Sequence, residues 1–170
     1  MVQLVDTPGW SRFSSLKDTP EKVKQEITKG VSLCTPGPHA IILVVSTAVA
    51  FTKAHLRSIR EHMSLLDVWR HTLVLFSWCD SIGETTVEQS IESGGRTLQL
   101  LVRKCNNRYH SFNIKADDPA QVTRLLEKIK WKVAENSVLC LNASETDNWE
   151  EEETAAETMS PPGEMFEDFC

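Results

Sequence analysis

The sequence predicts an α/β protein built on a mostly parallel sheet covered on both faces, and three observations predict it. Apolar runs of strand length alternate with segments whose apolar residues recur at helical spacing. The runs at residues 40–46 and 72–77 are continuous and rich in β-branched residues, as strands buried on both faces are. A chain of 170 residues with 41% hydrophobic content is long enough for one domain with a sizeable core and too short for two.

Each element follows from its own pattern. Residues 2–5 read as a short strand. A helix is expected over residues 20–32, with Val23, Ile27 and Val31 on one face, Pro20 at its first turn and Asp18 or Thr19 as cap. The cluster Cys34-Thr35-Pro36-Gly37-Pro38 stops it. After the strand at 40–46, Leu56, Ile59, Met63 and Leu66 predict a helix over 52–66, and 72–77 is the next strand. Val87, Ile91, Leu98, Leu101 and Val102 predict helix over 85–105, broken or bent at Gly94-Gly95. A strand at 109–113 and an amphipathic helix at 119–134, with Val122, Leu125, Leu126 and Ile129 inward, complete the βαβ order. There is no internal repeat.

Charge divides the chain. From residue 145 onward there are ten acids and no Lys or Arg, so that segment is expected to be a disordered acidic tail. Setting those ten acids aside turns the formal charge of −6 into +4, so the acidic balance belongs to the tail. The body at residues 1–135 is mildly basic, which suits an anionic nucleotide and is also ordinary for a small domain. The second unit, residues 136–170, is the tail. Five cysteines are scattered without C-x-x-C or Cys/His metal spacing and read as free thiols of a cytoplasmic protein. The longest apolar run, residues 40–51, is too short to span a bilayer, so no transmembrane anchor is expected. Nothing in the charge pattern points to a nucleic-acid partner.

The chemistry-bearing residues sit at predicted strand ends. Val5-Asp6-Thr7-Pro8-Gly9-Trp10 resembles the way a P-loop GTPase ends the strand that faces its Mg²⁺ and γ-phosphate: Asp6 as the metal-side carboxylate, Gly9 N–H as a phosphate donor. The same residues also make a good strand-end turn. Trp10 stands where Ras-like GTPases place a water-orienting Gln. Asp80, in Ser77-Trp78-Cys79-Asp80, lies where GTPases present a carboxylate to guanine, without the flanking Lys, and Asn113 could likewise face the base. Each of these two also reads as a turn or helix cap. No G-x-x-x-x-G-K-[S/T] stretch is present, so the Lys and backbone cradle for β- and γ-phosphates are missing from this sequence. Of the five histidines, His55 and His62 lie seven apart on one helix with no accompanying Glu motif, and all five read as structural or solvated.

Taken together, Asp6-Thr7-Pro8-Gly9, Cys34-Thr35-Pro36-Gly37-Pro38-His39-Ala40, Phe51-Thr52, His71-Thr72-Leu73-Val74-Leu75-Phe76, Gly83-Glu84-Thr85-Thr86-Val87-Glu88 and Asn107-Arg108-Tyr109-His110-Ser111-Phe112-Asn113 resemble the immunity-associated GTPases, the GIMAP or AIG-type G domains. The resemblance spans roughly residues 1–135. It implies a P-loop GTPase-like three-layer fold that is incomplete here, lacking the P-loop strand and helix. It also implies GTP or GDP with Mg²⁺ as cofactors, Asp6 for the metal, and Gly9, Asp80 and Asn113 for the nucleotide. Homo- or hetero-oligomers with other GIMAP-type G domains are the implied partners. No catalytic residue carries over. Binding is expected to be weak or absent, and the alternative is a nucleotide-free interaction module that pairs with intact relatives. The family's strand order puts the phosphate-binding strand between residues 2–5 and the strand of Ile41. Residues 2–5 are therefore expected either to slide into that gap or to stay unpaired, while the strands of Ile41, Leu73 and Tyr109 pair in parallel in that order.

Overall fold

A computed structural model describes residues 2–66, 68–83 and 85–139. The acidic run from residue 145, with Cys140 and Cys170, lies outside the described residues. Five α-helices and three strands alternate along the described chain: α1 Glu21–Ser32, β1 Ile41–Ser46, α2 Lys53–Met63, β2 Thr72–Ser77, α3 Val87–Ser93, α4 Gly95–Lys104, β3 Tyr109–Phe112 and α5 Ala120–Leu139. The sheet has the order β1-β2-β3, every pair parallel, with Ile41 opposite Thr72 and Val74 opposite Tyr109. The expected neighbour order is therefore present.

Burial explains why the sheet forms here. β2 is central, and Leu73, Val74 and Phe76 are buried on its two faces. On one side Val74 and Phe76 pack with Leu43 and Val45 of β1, Leu56, Ile59 and Met63 of α2, and Leu98, Leu101 and Val102 of α4. In α2 and α4 the helical spacing read from the sequence therefore marks the buried faces, whereas on α5 the face expected inward is open, with Val122 51% exposed and Leu125, Leu126 and Ile129 only partly buried. Gly94 and Gly95 separate α3 from α4 for two reasons. A Cβ on Gly94 would press on the Ser90 carbonyl, and Gly95 has φ +77, a conformation open to glycine at little cost. Thr86 starts α3 with reciprocal bonds to Gln89: Gln89 N–H donates to Thr86 Oγ1 (3.2 Å) and Thr86 N–H to Gln89 Oε1 (2.9 Å). At the opposite edge of the sheet, the Arg108 guanidinium donates to the carbonyls of Thr72 (3.3 Å), Trp69 (3.4 Å) and Arg70 (2.8 Å), tying the start of β3 to that of β2.

Four local expectations are corrected. Residues 2–5 are not a strand. A pleated segment needs a neighbour to pair with, and these residues lie against α1 instead, where Gly30 leaves room for Thr7 and Val5. β1 is not buried on both faces: Leu43 and Val45 are covered, but Val44 is 60% exposed because its face of the strand lines an open cleft. Neither Asp18 nor Thr19 caps α1; Pro20 occupies the N-cap with no side-chain bond. α5 continues to Leu139, past residue 134 where its amphipathic pattern was expected to end.

Burial also sets the acid sensitivity of the fold. His55, His71 and His110 are each held below the ordinary value of 6.5, first by burial and then by cations: Arg12 beside His55, Lys132 beside His71, Lys128 and Arg124 beside His110. A folded state that binds these protons less readily than the unfolded chain loses stability as pH falls below about 6.5. Glu61, held low chiefly by the Leu16 N–H, and Asp118, held low chiefly by Arg124, act in the same direction in a separate window, below their ordinary carboxylate values. Melting temperature is expected to fall between pH 7 and 5.5, and His110→Gln to flatten that fall. A melting temperature constant across the interval would contradict the assignment.

Candidate functional site

The C-terminal ends of β2 and β3 bring together two of the four sequence-predicted residues. β2 ends at Ser77, and Trp78 turns the chain in a left-handed conformation (φ 62) into a short 3₁₀ segment, Cys79–Ile82, that carries Asp80. Few non-glycine residues adopt that conformation. The loop after β1 supports the turn: Thr47 N–H donates to Ser77 O (2.9 Å), and its hydroxyl reaches Trp78 O (2.8 Å). β3 ends at Phe112, so Asn113 follows immediately.

Asp80 faces that second loop. Its Oδ1 accepts the Ile114 N–H (3.3 Å), and its Oδ2 is buried with no hydrogen-bond partner among the described residues. Buried oxygens are seldom left in that state, so Oδ2 is an acceptor without its donor. Asn113 is fixed through its backbone by Gln121 in the first turn of α5. Asn113 N–H donates to Gln121 Oε1 (2.7 Å), and Gln121 Nε2 donates to Asn113 O (3.2 Å). Gln121 is buried, and the sequence reading did not single it out. An amide one turn into a helix carries no pattern that separates a clamp from a solvated side chain. The assembly places a carboxylate with a spare acceptor between two loops, which suits the N–H edge of a planar heterocycle.

Asp6 and Gly9 lie elsewhere. Both are exposed, in a segment without regular structure, and a Cβ added at Gly9 would meet nothing within 4 Å. Among the described residues no hydrogen bond joins Asp6 or Gly9 to Asp80 or Asn113, and no group of three His, Cys, Asp or Glu residues is placed to hold a metal. Asp6 can therefore offer one carboxylate to a cation and no more. Trp10 is stacked on His62 of α2, with ring centroids 4.4 Å apart and planes within 2°.

Between residues 2–9 and β1 runs an open cleft of about 1880 Å³. Its walls are aliphatic: Val5 on one side, Ile42 and Val44 of β1 on the other, Ile27 and Val31 of α1 and Leu126 of α5 around them. Three cysteines among the described residues are free thiols, and burial pushes Cys105 up to about 12, far from a reactive thiolate. No helix among the described residues is long and apolar enough to cross a membrane.

Known proteins match this chain over most of its length. Human GTPase IMAP family member 8 is 30% identical over 141 residues, covering 79% of this chain and 19% of the human protein. Its mouse counterpart is 24% identical over 132 residues, 76% of this chain and 19% of the relative. Immune-associated nucleotide-binding protein 9 of Arabidopsis thaliana is 28% identical over 145 residues, 81% of this chain and 42% of the plant protein. The chain thus spans about a fifth of the two mammalian proteins and under half of the plant one. Residues 1–160 match the AIG1 family throughout, and with the parallel βαβ sheet this places the chain in that family.

Proposed function

We propose that this chain carries the base-recognising half of a guanine-nucleotide site and by itself holds GTP weakly or not at all. The observation that carries the reading is Asp80 Oδ2, a buried acceptor without a donor, set beside the Asn113–Ile114 loop. Guanine offers two N–H donors on one edge, the complement of such a carboxylate. Asp80 and Asn113 serve the base in this reading, while Gly9 N–H and Asp6 serve the phosphate and its Mg²⁺. Family membership supports the assignment, as does the name of the human relative, a GTPase.

Magnitudes argue for weak binding. In P-loop proteins the Lys and backbone cradle holds the β- and γ-phosphates, and this sequence contains no such stretch. Hydrolysis would also be poor. Trp10 offers one N–H donor and no acceptor, so it cannot orient and polarise a water as an amide does. Calorimetric titration with a non-hydrolysable GTP analogue and Mg²⁺ is expected to give a dissociation constant of about 1 mM or weaker, some −4 kcal/mol. Micromolar affinity would overturn the proposal.

The cleft favours a second reading, an interaction module that pairs with other GIMAP-type G domains. The resemblance places a phosphate-binding strand between residues 2–5 and β1, and the aliphatic cleft lies between those same two elements. A strand bound there would gain backbone partners from the free edge of β1.

A further inference from the structure

We propose that residues 10–19 form a strap locked onto α2 by His55 and His62, and that the lock holds with no ligand bound. The seven-residue spacing of the two histidines brings both rings onto one face of α2, two turns apart. Ser58 lies between them, on the same face. Leu56, Ile59 and Met63, each one position further on, form the neighbouring face and enter the core. The helix therefore presents one stripe to the sheet and a second to the strap.

Contacts run along the whole second stripe. Phe13 packs on His55 with centroids 4.7 Å apart, and Phe51 stacks near the same ring at 5.5 Å. Ser58 Oγ donates to Ser14 O (2.8 Å), and Leu16 N–H donates to Glu61 Oε2 (2.7 Å). Arg57 holds that carboxylate in place from the next turn, at 3.1 Å. His62 is nearly inaccessible, at 1% exposure, and makes three contacts at once. Trp10 covers its face, Ser58 O lies 2.7 Å from Nδ1, and Thr19 Oγ1 lies 2.8 Å from Nε2. A carbonyl can only accept, so in the neutral ring Nδ1 carries the hydrogen and Nε2 is an acceptor facing the Thr19 hydroxyl. That hydroxyl also lies 3.0 Å from Ser15 O and shares one hydrogen between the two acceptors, while Ser15 O has a second donor in the Asp18 N–H at 3.2 Å.

An ordinary surface loop would not bury a histidine and a threonine to this degree; Thr19 is only 4% exposed. Loops are mobile where contacts are few, and here contacts recur at every turn of the helix, part-buried at Ser58 and Glu61 and fully buried between Thr19 and His62. The strap begins one residue after Gly9, so whatever holds Gly9 pulls on α2 through it.

Amide hydrogen exchange on the ligand-free chain tests the lock. The Leu16 amide is expected to exchange about 100-fold more slowly than an open chain. His62→Phe keeps the ring and the stack but removes both hydrogen bonds, and is expected to cost Leu16 at least 10-fold of that protection although Glu61 is untouched. The Val74 amide, bonded to Arg108 O at 2.9 Å, should stay protected and report an intact sheet. Thr19→Val, a milder change, is expected to give a smaller loss of the same sign and decides the matter if His62→Phe unfolds the sheet. Rapid exchange of Leu16 in the unmodified chain, or protection indifferent to both substitutions, would overturn the proposal.

Discussion

Sedimentation at rising concentration is expected to show this chain self-associating, and Val44→Lys to weaken that association more than tenfold. Val44 lies in the middle of β1 and is 60% exposed, an unusual position for a β-branched residue in an α/β sheet. Its strand bonds to β2 on one side only, so the backbone groups of the other edge are open to pairing. Across the cleft Leu4 is 83% exposed and Val2 67%, adding aliphatic surface that water must cover. Fully burying one such side chain contributes roughly 1.5–3 kcal/mol, so Val44, Leu4 and Val2 together offer roughly 5–9 kcal/mol from each copy, set against the freedom lost on association. A lysine at position 44 would set an ammonium against the same surface. The same region should bind a hydrophobic dye. A strictly monomeric sample that unfolds cooperatively and ignores the dye would show that the cleft is closed in solution, and would remove the support for an interaction module.

Gln121→Leu is expected to lower stability by about 2–3 kcal/mol and to loosen the loop that carries Asn113. The substitution keeps the volume but removes the acceptor for Asn113 N–H and the donor to Asn113 O. A half-buried N–H is then left without a partner, which is the costly part of losing a hydrogen bond. Gln121→Glu retains the acceptor, so its cost should be smaller. Chemical denaturation measures the loss, and amide shifts confined to residues 80 and 113–114 would localise it. Equal stability of Gln121→Leu and the unmodified chain would mean that Gln121 does not position this loop.

The sequence was most readable where the physics is local or periodic. Leu56, Ile59 and Met63 announced α2 because a helix repeats its buried face every three or four residues, and Gly94-Gly95 announced a break because only those residues tolerate it. Residues 2–5 looked like a strand for the equally local reason that they are apolar, yet a strand needs a pairing partner and among the described residues none adjoins them. Val44 misled in the same way, since nothing in Ile41–Ser46 tells an edge strand from a central one. The positions of Asp80 and Asn113 just beyond β2 and β3 could be read from the apolar runs before them. Gln121 could not, because its contact spans eight residues of loop geometry that no periodicity encodes. The histidines were noted for their spacing, but the use of that spacing depends on a strap more than forty residues away in sequence.

The parallel register also sets how fast such a chain can reach its native state. Ile41 pairs with Thr72 and Val74 with Tyr109, separations of 31 and 35 residues, so among the described residues no strand pairing is local. Each closure costs chain entropy before any ladder forms, and folding rates fall as the mean separation of contacts rises. During synthesis β1 must wait, with its apolar face uncovered, until β2 and α2 have emerged. The interval before the sheet closes is when this chain is most exposed to misassociation, and the cell's folding assistants would meet it there.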